Sequence, residues 1–145
     1  MPITENTYKR LKMDWLTIRE YDNWRLVLRD YQNVLGRVSL FSKNVHGTIA
    51  DVPDDQLIEM RDIARDVEQK LKYAFNYDKM NYQVLGLVDP EFALHILPRY
   101  SGPRTFAGRE FLDAGWCTPD YLQNKNDMTD EELIVLRDYL RGLFE

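Results

Sequence analysis

The spacing of apolar and polar residues changes several times along these 145 residues, and each change predicts an element. A short helix is expected over about 5–12. From Trp15 the pattern turns to strand alternation. Trp24, Leu26 and Leu28 face one way and Arg25, Val27 and Arg29 the other, because successive strand side chains point to opposite faces. Residues 31–35 read as a connection. Gly36 then opens a second run through Val38, Leu40 and Phe41, and the two runs predict an antiparallel pair. Over about 54–75 the period lengthens. Leu57, Met60, Ala64, Val67, Leu71 and Ala74 recur at spacings of three and four, which is one stripe of a helix. Asp54 and Asp55 lie in its first turn, where the helix end favours anions, and Asn76 with Asp78 marks its exit. Two more strands are expected over 81–85 and 92–97, with Pro98 closing the second because proline has no N–H for a ladder. Residues 101–126 carry Gly, Pro and scattered aromatics without a period and read as loop. A last helix, about 129–144, has a capping box of Thr129 and Glu132, a Met128–Leu133 staple and an apolar stripe of Leu133, Leu136, Leu140 and Leu143.

The order strands, long helix, strands, terminal helix predicts an α+β fold built on an antiparallel sheet. No solenoid period and no Gly/Ser- or Pro-rich linker divides the chain, so one domain is expected over 1–145, with 117–145 as a C-terminal extension ending in a helix. A chain of this length buries roughly two-thirds of its unfolded surface, enough for a real core. With 19 basic and 24 acidic residues the net charge is −5, which argues against nucleic acid or an anionic membrane surface as partner. No apolar run approaches the roughly 18 residues of a membrane span. The start MPITENTYKR has no apolar signal core, and a cytoplasmic location is expected. One cysteine, Cys117, rules out a disulfide within the chain and a cysteine-rich zinc site; His46 and His95 leave little for a histidine cluster. No metal or other cofactor is expected.

Candidate chemistry concentrates in residues 80–100, MNYQVLGLVDPEFALHILPRY. Glu91, Ala93 and His95 share one strand face while Phe92, Leu94 and Ile96 share the other. Asn81 and Gln83 on the neighbouring strand, with Glu91, His95 and Arg99, form the candidate ligand-binding set. The planar fork of an arginine suits a phosphate. Arg104 and Arg109 follow at intervals of five in a stretch with Phe106, Phe111 and Trp116, and are candidates for the rim. The same residues have plainer readings: His95 as a packed, hydrogen-bonded histidine, His46 as a solvated turn residue, and the arginines as a loop countered by Glu110 and Asp113.

The stretch GLVDPEFALHILPRY, residues 86–100, resembles the active-site strand of the histidine triad (HIT) family, whose signature alternates three histidines with apolar residues and often ends in Pro-Arg. Trp24 and its strand, Leu35-Gly36-Arg37-Val38 opening the next, and the helix after Asp51 fall in the family's order; the likeness covers roughly 15–116. It implies a HIT-like fold, a homodimer, and nucleotidyl hydrolase or transferase ancestry. Residue by residue it also implies a loss. The position of the middle histidine, the family's nucleophile, is Ala93; the first is Glu91; the third is kept as His95; and an asparagine near the phosphates is Leu87. His95 is a poor replacement, since next-but-one strand residues lie about 7 Å apart and a misplacement of about 1 Å can cost on the order of 100-fold in rate. Glu91 could act as a general base on water, but nothing in the sequence supplies an electrophilic partner.

Three functional readings follow. The first is a degenerate HIT-type protein that binds a nucleotide or phosphorylated small molecule without efficient nucleotidyl-histidine chemistry, with no catalytic residue assigned unless His95 is active. The second is a nucleotide or dinucleoside polyphosphate hydrolase with a rearranged site. The third is a catalytically inert protein-interaction dimer.

Overall fold

The structure is a computed structural model that describes residues 4–122 and 124–145. Two short helices, α1 (Glu5–Arg10) and α2 (Met13–Leu16), lead into strands β1 (Thr17–Glu20), β2 (Trp24–Leu28) and β3 (Val38–Ser42). After a 3-10 turn at Ile49–Asp51 come α3 (Asp54–Phe75), β4 (Lys79–Gln83), β5 (Ala93–Arg99), a hairpin of β6 (Arg104–Phe106) and β7 (Arg109–Phe111), and α4 (Asp130–Leu143). The main sheet has the order β1-β2-β3-β5-β4, and every neighbouring pair is antiparallel. This is the α+β architecture expected from the sequence. Among the described residues no helix is long and apolar enough to cross a membrane.

The sheet has two unlike faces. One carries Trp24, Leu26, Leu28, Leu40 and Ile96, all fully buried, and α3 covers it; the Trp24 indole N–H donates to the Gln56 carbonyl at 2.9 Å. The opposite face carries Arg25 and Val27 from β2 with Arg29 just past its end, Ser39 from β3, Ala93 and His95 from β5 and Gln83 from β4, as the registers Val27↔Ser39, Ser39↔His95 and Gln83↔His95 require. That face is where the site lies.

Several boundaries differ from expectation. The first strand run is two strands, folded at 21–23 by a bond from the Tyr21 amide to the Trp24 carbonyl. The buried lane of α3 is Ile63, Val67, Leu71 and Phe75, while Leu57, Met60, Ala64 and Ala74 are only half-buried. The helix is turned so that Phe75 packs edge-on against Phe106 and tilted against Tyr139, with ring centroids 5.9 and 6.2 Å away. β4 starts two residues earlier than expected, and β5 runs through Pro98 to Arg99. Alternate residues of β5 direct their backbone to alternate neighbours. Arg99 bonds on the β4 side, so the missing N–H of Pro98 falls on the other side, where β3 has already ended opposite Ile96. The stretch expected to be all loop contains the β6–β7 hairpin, turned at Ala107 and Gly108, both with positive φ (52° and 79°).

The C-terminal helix has the capping box expected of it, with Thr129 and Glu132 bonding each other's backbone. Leu133, Leu136 and Leu140 are buried in the same core as the sheet. Arg141 donates to the Thr17 carbonyl at 2.7 and 2.9 Å, and Arg137 donates to the Trp15 carbonyl at 3.0 Å, so α4 covers the β1 edge.

Candidate functional site

The site is assembled first by a loop. The 29–37 connection between β2 and β3 closes around Gln32, whose fully buried amide donates to the carbonyls of Arg29 (2.8 Å) and Arg37 (2.9 Å) and accepts from the Gly36 amide (2.8 Å). Gly36 adopts φ +88°, and a Cβ there would meet the Phe75 ring at 3.0 Å, so glycine is the residue that fits. Tyr100 donates its hydroxyl to the Leu35 carbonyl at 2.6 Å and holds the same loop from below. The result places Arg29 and Arg37 directly opposite each other across the strand pair, linked by the bond from the Arg29 amide to the Arg37 carbonyl (3.2 Å).

Like charges in that position repel. Neither guanidinium touches a carboxylate of the described residues. Arg29 donates to Ser39 Oγ (3.1 Å) and to His95 Nδ1 (3.3 Å). Arg37 donates to the Tyr31 carbonyl (3.2 Å) and Asn33 Oδ1 (2.5 Å) and stacks on the Tyr121 ring. The Nε of Arg37 is buried without a partner among the described residues. Burial, and then the charge of Arg37, draws the Arg29 pKa down to about 10. Burial also lowers that of Arg37.

His95 completes this cationic face. Its Nδ1 lies 2.7 Å from Ser39 Oγ and 3.3 Å from Arg29 Nη1. An arginine offers only hydrogens, so Nδ1 carries the lone pair and the proton sits on Nε2, which makes no hydrogen bond within the described residues. Burial, then the charges of Arg29 and Arg37, lowers the His95 pKa to about 4, and the ring is neutral at pH 7.

Around these groups is a cleft of about 200 Å³ lined by Arg10, Arg29, Arg37, Gln83, Ala93 and His95, with the 85–89 loop as its lip. Glu91 also lines it but is 2 % exposed. It accepts from the Thr4 amide (2.8 Å) and the Thr7 hydroxyl (2.9 Å), fastening α1 to the sheet. The same helix sets Arg10 against Asp89. Ala93 contributes only a methyl to the lining.

Of the five residues expected to bind a ligand, Gln83, Glu91 and His95 therefore meet at one cleft, and Asn81 and Arg99 do not. Arg99 is 3 % exposed and all five of its N–H donors are engaged: with both oxygens of Asp113 (2.7 and 3.2 Å), Asn81 Oδ1 (3.2 Å), and the carbonyls of Gly115 (2.8 Å) and Thr118 (2.9 Å). Further along the same strands, Arg99 four residues from His95 and Asn81 two from Gln83, this pair sits under the 113–118 segment and holds it down. Arg104 and Arg109 are likewise elsewhere. Arg104 donates to the Phe75 and Asn76 carbonyls at the end of α3, and Arg109 pairs with Glu132 of α4. Trp116 lines a separate cleft with Lys79 and Arg99. His46 is bonded to Gln56 Oε1 at 3.1 Å. The residues that sequence reasoning missed are Arg29 and Arg37. Each lay in a segment already recognised as strand, and only the cross-strand register brings them to His95. No group of acidic, cysteine and histidine side chains suited to a metal ion occurs among the described residues.

No protein-family model matches the sequence, and no curated protein matches it. Solved structures do. A histidine triad protein from Marinobacter aquaeolei VT8 superposes with a TM-score of 0.75 at 20% identity, over 99% of this chain and 96% of that one. A histidine triad protein from Bradyrhizobium japonicum gives a TM-score of 0.71 at 20% identity over all of both chains. A hypothetical histidine triad nucleotide-binding protein from Sulfolobus tokodaii strain7 gives 0.71 at 17% identity, over 94% and 88%. The chain has the histidine triad fold.

Proposed function

We propose that this protein binds a nucleotide or a phosphorylated small molecule on the Arg29–Arg37–His95 face and lacks efficient nucleotidyl-histidine chemistry. The observation that carries this reading is the pair of half-buried arginines directly opposite each other with no carboxylate in contact. Such a pair is costly to the fold on its own and is relieved by an anion, with the His95 Nε2 proton as a further donor. The nucleotide-binding description of the Sulfolobus protein agrees with it. Inertness follows from Ala93 and from the pinned ring of His95, which cannot move several ångströms to the place of an in-line nucleophile without breaking its bonds to Ser39 and Arg29. We further propose a homodimer, since the outer edge of β4 has no strand beside it among the described residues.

Isothermal titration with AMP and inorganic phosphate tests the first reading. Binding is expected for the wild type and a loss of tenfold or more for Arg29→Gln and Arg37→Gln, with the circular dichroism unchanged. Phosphorus NMR with diadenosine tetraphosphate tests inertness; product that disappears in His95→Ala would establish the hydrolase instead. Sedimentation equilibrium reads the dimer, and a monomer at tens of micromolar overturns it.

A further inference from the structure

The chemistry left free in the cleft narrows the ligand beyond the choice between a nucleotide and another phosphate. The two carboxylates there are committed: Asp89 holds Arg10, and Glu91 holds the Thr4 amide and the Thr7 hydroxyl. The Gln83 carbonyl oxygen accepts from the Tyr121 hydroxyl. What remains to meet a ligand is a set of donors, namely the guanidinium groups of Arg29 and Arg37, the His95 Nε2 proton and the Gln83 amide N–H pair. A donor set binds acceptor oxygens. Both carboxylates of the lining are already paired within the protein, Asp89 through Oδ1 and Glu91 through both oxygens, so neither stands unpaired for the hydroxyl pair of a ribose or the amino group of a base.

The lip has the opposite character. Leu85, Leu87 and Val88 are 51 %, 82 % and 73 % exposed and border the same cleft, joined by Leu122 at 59 %. A Cβ at Gly86, which has φ +61°, would meet nothing within 4 Å, so the lip stands away from the protein body. The cavity, at about 200 Å³, is below the range of roughly 300–1,000 Å³ usual for a whole small-molecule ligand. It holds an anionic head and leaves the rest of the ligand against the lip.

Resting on the phosphate reading above, we infer that the ligand is a phosphomonoester of an apolar alcohol or phenol, with its phosphate on Arg29, Arg37 and His95 and its apolar body over Leu87 and Val88, and that a nucleoside is not specifically recognised. Charge complementarity fixes the head, and the exposed lip fixes the tail.

Titration calorimetry with inorganic phosphate, phenyl phosphate and AMP, on the wild type and on the double variant Leu87→Ser/Val88→Ser, tests this. Both substitutions are at exposed positions and leave the core intact. Phenyl phosphate is expected to bind about tenfold tighter than inorganic phosphate, the return from covering half of one ring, and tighter than AMP. The double variant should lose that advantage while keeping its affinity for inorganic phosphate. AMP binding tighter than phenyl phosphate, or an undiminished phenyl phosphate affinity in the double variant, overturns the inference and leaves the phosphate reading standing. Silence from all three probes on the wild type overturns both.

Discussion

His95 is the side chain whose environment can be read most directly in solution. An unfolded histidine protonates near 6.5, whereas the native ring stays neutral down to about 4. Between those values the unfolded chain binds more protons, so stability falls as the pH drops through that window. The difference is worth up to about 3 kcal/mol. Urea denaturation at pH 7.5 and pH 4.5 should show that extra loss in the wild type and not in His95→Gln. Arg99 tests a different principle. Asp113 is fully buried beneath it, and removing the carboxylate leaves a buried guanidinium held by carbonyls alone. Asp113→Ala is expected to destabilise by about 3–5 kcal/mol; a loss under about 1 kcal/mol would mean that the carbonyls suffice. At this scale the sequence was half legible. The positions of Ala93 and His95 on one face follow from strand alternation. The roles of Arg29, Arg37 and Arg99 do not, because an arginine that alternates along a strand looks the same whether its fork meets solvent, a ligand or an aspartate 14 residues away.

Elements with local end signals were legible to within a residue or so. α3 stops at Asn76, which takes the left-handed conformation that its residue type tolerates, and α4 starts at a capping box written in four consecutive residues. Thr129→Ala should cost about 1 kcal/mol, read from the shift in the denaturation midpoint. The β6–β7 hairpin was hidden because its turn is Ala107-Gly108 rather than a pair with two natural left-handed residues. That same irregularity predicts a gain. Ala107 at φ 52° bears the left-handed penalty of a residue with a Cβ, so Ala107→Gly is expected to raise stability by about 0.5–1 kcal/mol despite the added freedom of the unfolded chain. A lower melting temperature in that variant would show that the hairpin is held by Phe106 and Phe111 packing and not by its turn. The lane of α3 was misjudged for a related reason. Several apolar lanes exist on a 22-residue helix, and contacts from Phe106 and Tyr139, far along the chain, choose among them.

At the scale of the whole molecule, the sheet's two borders are treated differently. β4 has no strand paired on its outer side among the described residues, while β1 lies under α4. Arg141→Ala removes two charge-assisted bonds to the Thr17 carbonyl and should lower stability by about 1–2 kcal/mol, measured by urea denaturation. Strand alternation in residues 80–100, together with the resemblance, placed the candidate site on the sheet, whereas the contribution of α1 to it through Thr7 and Arg10 was not legible. The covering of β1 was not legible, because it joins residues at the two ends of the chain.

Arg141 and Phe144 close on Thr17 and Arg19 from 124 and 125 positions away. During synthesis the N-terminal strands emerge first, and their outer border stays uncovered until α4 has left the ribosome, several seconds later at roughly 5–20 residues per second. For that interval the nascent chain presents a strand border able to recruit a neighbour on the same message. Slow translation or a premature stop before Asp130 should therefore favour aggregates seeded at β1, while the finished protein hides the place where they began.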